Sequence, residues 1–317
     1  MPHSPWDLPL LSDFNHYSNL HCFLQSVTPI VSTKLLPKAR SLNGFGQSSE
    51  SSGGNDMVGC FSLSDVWEFH VEKSFYGASV PILLNNGESV VQYYAPSLSA
   101  IQIYTTKPCE SISVSVSNNN SSTRTSQHTT LLVDHHEGPS KIMESLRHLY
   151  FQVNETLSPY DRLPLTTKIN ELAEAHPGLT TFNNMDLSPY SWIAIAWYPI
   201  YPVPTTRIVK ELSACFLTYH PLSLPLQDLP SSVPKEDDDL RCTDSLGKKC
   251  EGGTSRGKVS LSPFAMTTYK MYGELWMNPE TPGDHKERII TYQNAAHSWL
   301  KQLGFKHNDF NFCISHS

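Results

Sequence analysis

The chain has 317 residues, of which 39% are hydrophobic, and this content suffices for one large domain with a real core. Its formal net charge of −7, without clustered lysine or arginine, argues against broad electrostatic binding to nucleic acid. No segment has the length of a membrane span or the pattern of a signal peptide, so we expect a soluble protein of the cytoplasm or nucleus.

The first predicted elements are two short helices. Apolar residues recur at helical spacing over 19–27, with Ser18 placed to cap the helix and Pro29 to end it. A second helix is predicted over about 65–73, with Ser64 as its cap. The first pattern describes a short amphipathic helix that buries one side.

Three strands are predicted to follow, over 80–84, 89–94 and 100–105. The first two are separated by Asn85-Asn86-Gly87-Glu88, a sequence typical of a hairpin turn. These features indicate an antiparallel meander. Over 140–153 the helix and strand signals compete, and the sequence does not decide between them.

Three polar segments interrupt the pattern, at about 41–56, 111–130 and 228–258. Each is rich in Ser, Asn, Thr, Gly or acidic residues and has too few apolar side chains to offset the entropy of ordering the backbone. They are predicted to be mobile insertions in a single domain that spans 1–317.

The most apolar stretch, 191–198, lies between Pro189 and Pro199 and predicts a strand in the middle of a sheet. Both of its faces are apolar, and its two alanines leave room for a helix to approach. A partner strand is predicted over 212–219, and the short connection favours an antiparallel pair.

The remaining elements complete an α+β fold. A helix around 165–173 ends at 176–178, and 261–277 is strand-like. The last helix is predicted to begin at a cap on Asp284 and to end near Gly304, and 310–314 is predicted to close the sheet as a strand. The expected fold class is therefore α+β, with a mainly antiparallel sheet and helices packed on it.

Several patterns resemble reactive sites without completing one. Residues 252–258 have the glycine and lysine spacing of a phosphate-binding loop, but Val259 replaces the Ser or Thr that binds magnesium, which favours a glycine linker. His128, His135 and His136 lack the further ligands of a zinc site. The sequence predicts no metal and no cofactor.

Two further groups of residues have the chemistry of catalytic sites. Cys215 and His220 could form a nucleophile and a base, but alternation places them on opposite faces of a strand, which favours a buried structural Cys215. Asp186 and the pair Asp161-Arg162 could form a site, although a single carboxylate near a strand end is more often a turn or cap residue. An enzyme with an unrecognised cleft therefore remains the alternative.

A binding function is the preferred hypothesis. Aromatic side chains between rigid prolines can present a preorganised surface that loses little entropy on binding. The expected partner is another protein, and the predicted surface, at the end of the central strand and a neighbouring turn, consists of Trp197, Tyr198, Pro199, Tyr201, Pro202, Pro204 and His220. For Trp197 the sequence slightly favours a place in the core.

Six blocks of sequence resemble a known family. They are SNLHCFLQSVTPIV (18–31), SVVQYYAPSLSAIQIY (89–104), SPYDRLPLTTKI (158–169), SWIAIAWYPIYPVP (191–204), ACFLTYHPL (214–222) and HNDFNFCISH (307–316). In this order they look like the plant family of unknown function DUF789, and they cover nearly all of the chain outside the three insertions. The tract 111–130 is short and neutral where relatives often carry an acidic one. The resemblance implies no activity, cofactor or catalytic residue.

Overall fold

The computed structural model describes residues 18–37, 57–106, 148–200, 210–223, 257–271, 275–276 and 282–316. Within these ranges the helices are α1 (Asn19–Val27), α2 (Leu63–Tyr76), α3 (Leu165–Ala175), α4 (Gly178–Thr181), α5 (Pro282–Leu303) and α6 (Asn308–Ser315). The strands are β1 (Ile30–Pro37), β2 (Met57–Cys60), β3 (Ala78–Leu83), β4 (Ser89–Thr105), β5 (His148–Asn154), β6 (Trp192–Ile200), β7 (Cys215–Pro221), β8 (Gly257–Ser260) and β9 (Ala265–Tyr269).

The main sheet has the strand order β3-β4-β6-β7-β9, and β5 also pairs with β4. Every pairing in it is antiparallel, so the predicted α+β class with an antiparallel sheet is confirmed. The predicted central strand is β6, which pairs with β4 on one side and with β7 on the other. Strands from both halves of the chain therefore share one sheet.

The predicted hairpin is also confirmed, since β3 and β4 meet at the pair Leu83 and Ser89. The two strands predicted over 89–94 and 100–105 are, however, one strand of 17 residues, β4. Its outer edge pairs with β3 up to Tyr94 and with β5 from Ala100 onward. Pro96 lies between these two pairings, on an edge that has no ladder partner among the described residues, so its missing N–H is tolerated there.

A second, smaller sheet has the order β2-β1-β8. None of its strands was predicted, and β8 includes Gly257 and Lys258, the end of the segment predicted as an insertion. Lys258 is paired with Ser32, so the lysine of the phosphate-loop pattern lies in an antiparallel strand. The predicted segments 41–56 and 111–130, and the rest of 228–258, lie outside the described residues.

The helices follow the predicted local signals, with some shifts at their ends. Helix α1 has its predicted bounds, and the Ser18 side chain accepts a hydrogen bond from the backbone N–H of His21. Helix α2 begins earlier than predicted, because Ser62 and Asp65 form a reciprocal capping box in place of a cap at Ser64. Helix α3 ends at His176, as the 176–178 sequence predicts.

The C-terminal prediction was wrong in two respects. Helix α5 begins at Pro282, so Asp284 lies inside it and is not its cap. The segment predicted as a closing strand is helix α6, which buries Phe310 and Cys313 at a spacing of three and exposes Phe312. Within the described part of the chain, no helix combines the length and apolarity needed to cross a membrane.

The two faces of the main sheet differ in their side chains. One, which we call the aromatic face, carries Tyr94, Trp197 and Phe216 and packs against α1 and α2. The other, which we call the alanine face, carries Ala100, Ala194 and Ala196 and packs against α5 and α6. The two clusters of buried side chains lie on these two faces.

Candidate binding site

Trp197, one of the predicted surface residues, lies in the core. Its side chain is 0% exposed, and its indole N–H donates to Thr218 Oγ1 at 2.9 Å. The ring packs edge-on against Phe23 of α1. Alternation along β6 directs this side chain to the aromatic face, so it does not belong to an accessible surface.

His220 is also buried, and it lies at the opposite end of β6 from Pro199, because the antiparallel register pairs it with Ile193. Its Nδ1 lies 2.8 Å from the Leu261 carbonyl and its Nε2 lies 2.8 Å from Thr218 Oγ1. A carbonyl only accepts, so Nδ1 carries the proton and Nε2 accepts from Thr218. Burial lowers the pKa of His220 to about 4, and the ring is a neutral core residue. The predicted association of this residue with the proline-rich loop was wrong.

Tyr198 and Pro199 are half-buried and line a cavity. The Tyr198 hydroxyl lies 3.4 Å from Arg162 Nη1, and burial raises the pKa of this phenol. The other predicted surface residues, Tyr201, Pro202 and Pro204, lie outside the described residues.

Three exposed apolar side chains lie near the end of β6. Phe75 and Tyr76, at the end of α2, are 70% and 73% exposed, and Ile200 is 41% exposed. The next residue, Gly77, has a φ of +83°, and a Cβ on it would lie 2.9 Å from the Ile200 side chain. Glycine thus allows the end of α2 to lie against β6. We call Phe75, Tyr76 and Ile200 the aromatic surface; sequence spacing did not predict it, because Phe75 and Ile200 are far apart in the chain.

The cavity opens on the alanine face and has a volume of about 960 Å³. Its floor lies on three neighbouring strands and consists of Tyr198 and smaller side chains, namely Ala95, Ser97, Ala196, Cys215 and Leu217. Its walls include the segment 155–164 and part of α6. The alanines of β6 were predicted to leave space for a helix. Helices cover the sheet at Ala194, whereas the space beside Ala196 is part of the cavity.

One wall of the cavity contains a buried ion pair. Arg162 Nη1 and Nη2 donate to the two carboxylate oxygens of Asp309 at 2.6 and 2.7 Å. The two side chains are 4% and 17% exposed, respectively. Arg162 Nε donates to the Leu157 carbonyl at 3.0 Å, which fixes the plane of the guanidinium. This bidentate geometry is the strongest form of an arginine–carboxylate contact.

The ion pair continues into a chain of buried hydrogen bonds. Ser99 donates to Asp309, and His307 lies between Ser99 and Tyr219, with both contacts at 2.8 Å. Since Ser99 gives its only proton to the carboxylate, His307 Nε2 donates to Ser99 and His307 Nδ1 accepts from Tyr219. Burial lowers the pKa of His307 to about 4, which keeps the ring neutral.

This serine, histidine and aspartate are not arranged as in a serine hydrolase. A hydrolase triad needs a histidine that takes the serine proton and a carboxylate that orients the histidine. Here the carboxylate binds the serine directly, a tyrosine holds the other ring nitrogen, and Ser99 is 0% exposed. The network therefore positions α6 against β4.

The cavity also exposes no activated thiol. Cys215 and Cys313 line it, and burial raises their pKa values to about 11 and about 12. A thiol with such a pKa is protonated at neutral pH and is a poor nucleophile. The sequence favoured a buried Cys215, but this residue is half-buried and faces the cavity. His220 lies on the opposite face of β7, as alternation predicted. Within the described ranges, no group of three or more His, Cys, Asp or Glu could hold a metal ion.

Sequence reasoning included Arg162 among its candidates but missed Asp309, His307 and Ser99. Arg162 and Asp309 are 147 positions apart, so no local spacing could have paired them. Ser99, His307 and Asp309 lie in the blocks 89–104 and 307–316, which the sequence did not mark as parts of a reactive site.

A family model described as "Protein of unknown function (DUF789)" matches residues 18–313. This range includes the residues that line the cavity and those of the aromatic surface. No curated protein and no solved structure matches the chain.

Proposed function

We propose a binding function for this chain, which belongs to the DUF789 family of proteins of unknown function. Its partner is another protein, met in the cytoplasm or nucleus of a plant cell. The contact is made by the aromatic surface and the segment that follows it, Tyr201–Pro204.

The observation that carries this proposal is the exposure of Phe75, Tyr76 and Ile200 at one place. Grouped exposed apolar side chains are unusual on a monomeric protein and typically belong to an interaction site. Tyrosine and other aromatic residues contribute much of the energy of protein interfaces, since they bury a large area at a small cost in rotamer entropy. Next to them, Pro199 is paired with Tyr94 in the main sheet and Gly77 lies against the Ile200 side chain.

Catalysis is less well supported by the same region. The cavity brings together polar groups, but those that resemble catalytic residues are buried, paired or protonated. Binding requires only the accessible side chains that this end of the sheet already presents.

The proposal is tested with Tyr76→Ala and Tyr201→Ala in quantitative pull-downs from plant tissue, each compared with its melting temperature. Both variants are expected to lose most of the captured partner while their melting temperatures change little, because exposed anchors add to binding and not to the core. Ile290→Ala, which shortens a 46% exposed side chain on α5, is the matched control and should retain capture.

Unchanged capture by both tyrosine variants would contradict the proposal. A large fall in the melting temperature of Tyr201→Ala would instead place Tyr201 in the core.

A further inference from the structure

We infer that the cavity on the alanine face is a binding site for a small, uncharged and mainly apolar organic molecule that carries a hydrogen-bond acceptor. This site is distinct from the proposed protein-binding surface, although Tyr198 and Pro199 lie between the two. The inference rests on the size of the cavity, the balance of its charges and an unpaired hydroxyl group in its floor.

The size of the cavity fits a small molecule. Its volume of about 960 Å³ lies near the upper end of the range of about 300–1,000 Å³ found for ligand sites. Such sites combine apolar walls with a few fixed polar groups. Here Ala95, Leu157, Pro159 and Ala196 give apolar contact, while Tyr198 in the floor and Arg162 in the wall beside it give polar contact.

The charges around the cavity cancel one another. Arg162 and Asp309 neutralise each other in the bidentate pair. Glu155 is buried and accepts hydrogen bonds from the backbone N–H groups of Thr156 and Leu157 at 2.8 and 3.0 Å. Lys270 lies at the rim, where it is exposed. Lys270 also lies near Cys215 of the floor, but it is exposed, so water screens its charge. The floor therefore favours a neutral ligand.

The floor contains a polar group that has no partner. Ser97 lines the cavity and is 6% exposed, and its hydroxyl makes no hydrogen bond within the described part of the chain. A buried hydroxyl without a partner costs about 1–3 kcal/mol. Because Ser97 lines the cavity, a carbonyl or ether oxygen of a bound molecule could accept the proton of this hydroxyl.

The absence of large side chains around Ser97 explains why the space is open. Its neighbour across the β4–β6 ladder is Ala196, and Ala95 precedes it on the same face of β4. A Leu or Phe at either alanine would fill this volume, as such residues do on the aromatic face. The cavity on the alanine face therefore lies beside Ser97.

The test is a fluorescence titration of the full chain with Nile red, a neutral apolar dye that carries a carbonyl group. Binding should saturate at one dye per chain, and the anionic dye 1-anilinonaphthalene-8-sulfonate should bind at least about tenfold more weakly, because its charge has no free partner in the floor. Absence of saturable Nile red binding would overturn the inference. Equal binding of the anionic dye would overturn the neutral character of the site.

Two variants locate the bound dye. Ala95→Trp should abolish binding by filling the cavity from a half-buried position. Ser97→Ala should weaken binding roughly threefold to tenfold, the range expected for one lost hydrogen bond, and should leave the melting temperature of the free protein unchanged or raise it. Ser89→Ala and Ser89→Trp, at an exposed position of the same strand, should bind the dye as the wild type does.

Unchanged affinity in Ser97→Ala would show that the hydroxyl does not contact the ligand and would overturn the assignment, even if Ala95→Trp failed to fold. A clear fall in the melting temperature of Ser97→Ala would show that the hydroxyl is satisfied within the protein and would also overturn it.

Discussion

The aromatic face and the alanine face belong to the same strands but differ in how completely they are filled. On the aromatic face, Phe23 stacks on Phe216 with ring centroids 4.0 Å apart, and Tyr94 and Trp276 pack around them. On the alanine face, the helices cover only part of the sheet and a cavity remains beside Ala196.

This difference follows from side-chain volume. Alternation along β6 sends Trp197 to one face and Ala196 to the other. The helices that cover the sheet can follow only one average separation, so small side chains leave space that large ones would fill. We therefore expect the aromatic face to supply most of the stability and the alanine face, with the strand ends beside it, to be available for binding.

Phe23→Ala should have the largest effect, a loss of about 4 kcal/mol of unfolding free energy, since it removes a fully buried ring and leaves a cavity. Phe312→Ala, at a 49% exposed position that lines the cavity, should lower the unfolding free energy by under about 1 kcal/mol. Urea unfolding followed by tryptophan fluorescence measures both. Similar losses at the two positions would contradict the division of roles between the faces.

Acid should destabilise both faces through buried imidazoles, His220 and His70 on the aromatic face and His307 on the alanine face. The pKa values of His220 and His307 are each lowered by burial from an ordinary 6.5 to about 4, and His70 adds to the loss in the same direction. The unfolded chain therefore binds more protons between these values, so stability is full above pH 6.5 and falls as the pH drops toward 4. Together His220 and His307 should remove about 3 to 4 kcal/mol between pH 7 and pH 5. Urea unfolding at pH 7, 6 and 5 measures this loss; a flat profile would mean that the rings accept protons in the folded state.

Arg162→Ala should cost about 3 kcal/mol, because it leaves the mostly buried Asp309 carboxylate without its counter-charge. The double variant Arg162→Met, Asp309→Leu should recover part of this loss, since no unpaired charge remains. Both are measured by chemical unfolding at pH 7. If the single and double variants were equally destabilised, packing by the arginine stem, and not its charge, would hold α6 in place.

The smallest expected effect is a gain. His70 of α2 is 0% exposed on the aromatic face, and neither ring nitrogen has a hydrogen-bond partner among the described residues. Burial also lowers the pKa of this ring well below its ordinary value. His70→Leu should therefore raise the unfolding free energy at pH 7 by about 1 kcal/mol, because it removes two unpaired polar atoms. Destabilisation in this variant would reveal a partner for the ring or a need for its shape beside Trp197.

Sequence patterns predicted the elements whose signals are local. Residues 19–27 carry a cap, a helical stripe and a proline stop within a few positions, and α1 has the predicted bounds. The strand 191–198 was recognisable because prolines bound a stretch that is apolar on both faces. The alternation of apolar residues over 310–314 led to the wrong prediction of a strand. Phe310 and Cys313 also fit a helical spacing of three, and tertiary packing selected the helix.

The site was far less predictable than the fold. Tyr198 and Pro199 were identified, but the ion pair and the aromatic surface join residues that only the sheet topology brings together. The role of Ser97 depends on the cavity beside it. A cavity is formed by the packing of distant segments, and the local sequence around Ser97 does not predict that packing.

The proposal that this protein acts by binding at the end of β6 is tested most directly by photo-crosslinking in plant cells with p-benzoylphenylalanine in place of Tyr76. The same substitution at Ile290 of α5, another exposed apolar position, is the control. The account predicts one discrete crosslinked partner from position 76, lost when Tyr201→Ala is added, and no such product from position 290. No crosslink at position 76, or the same products from both positions, would contradict it.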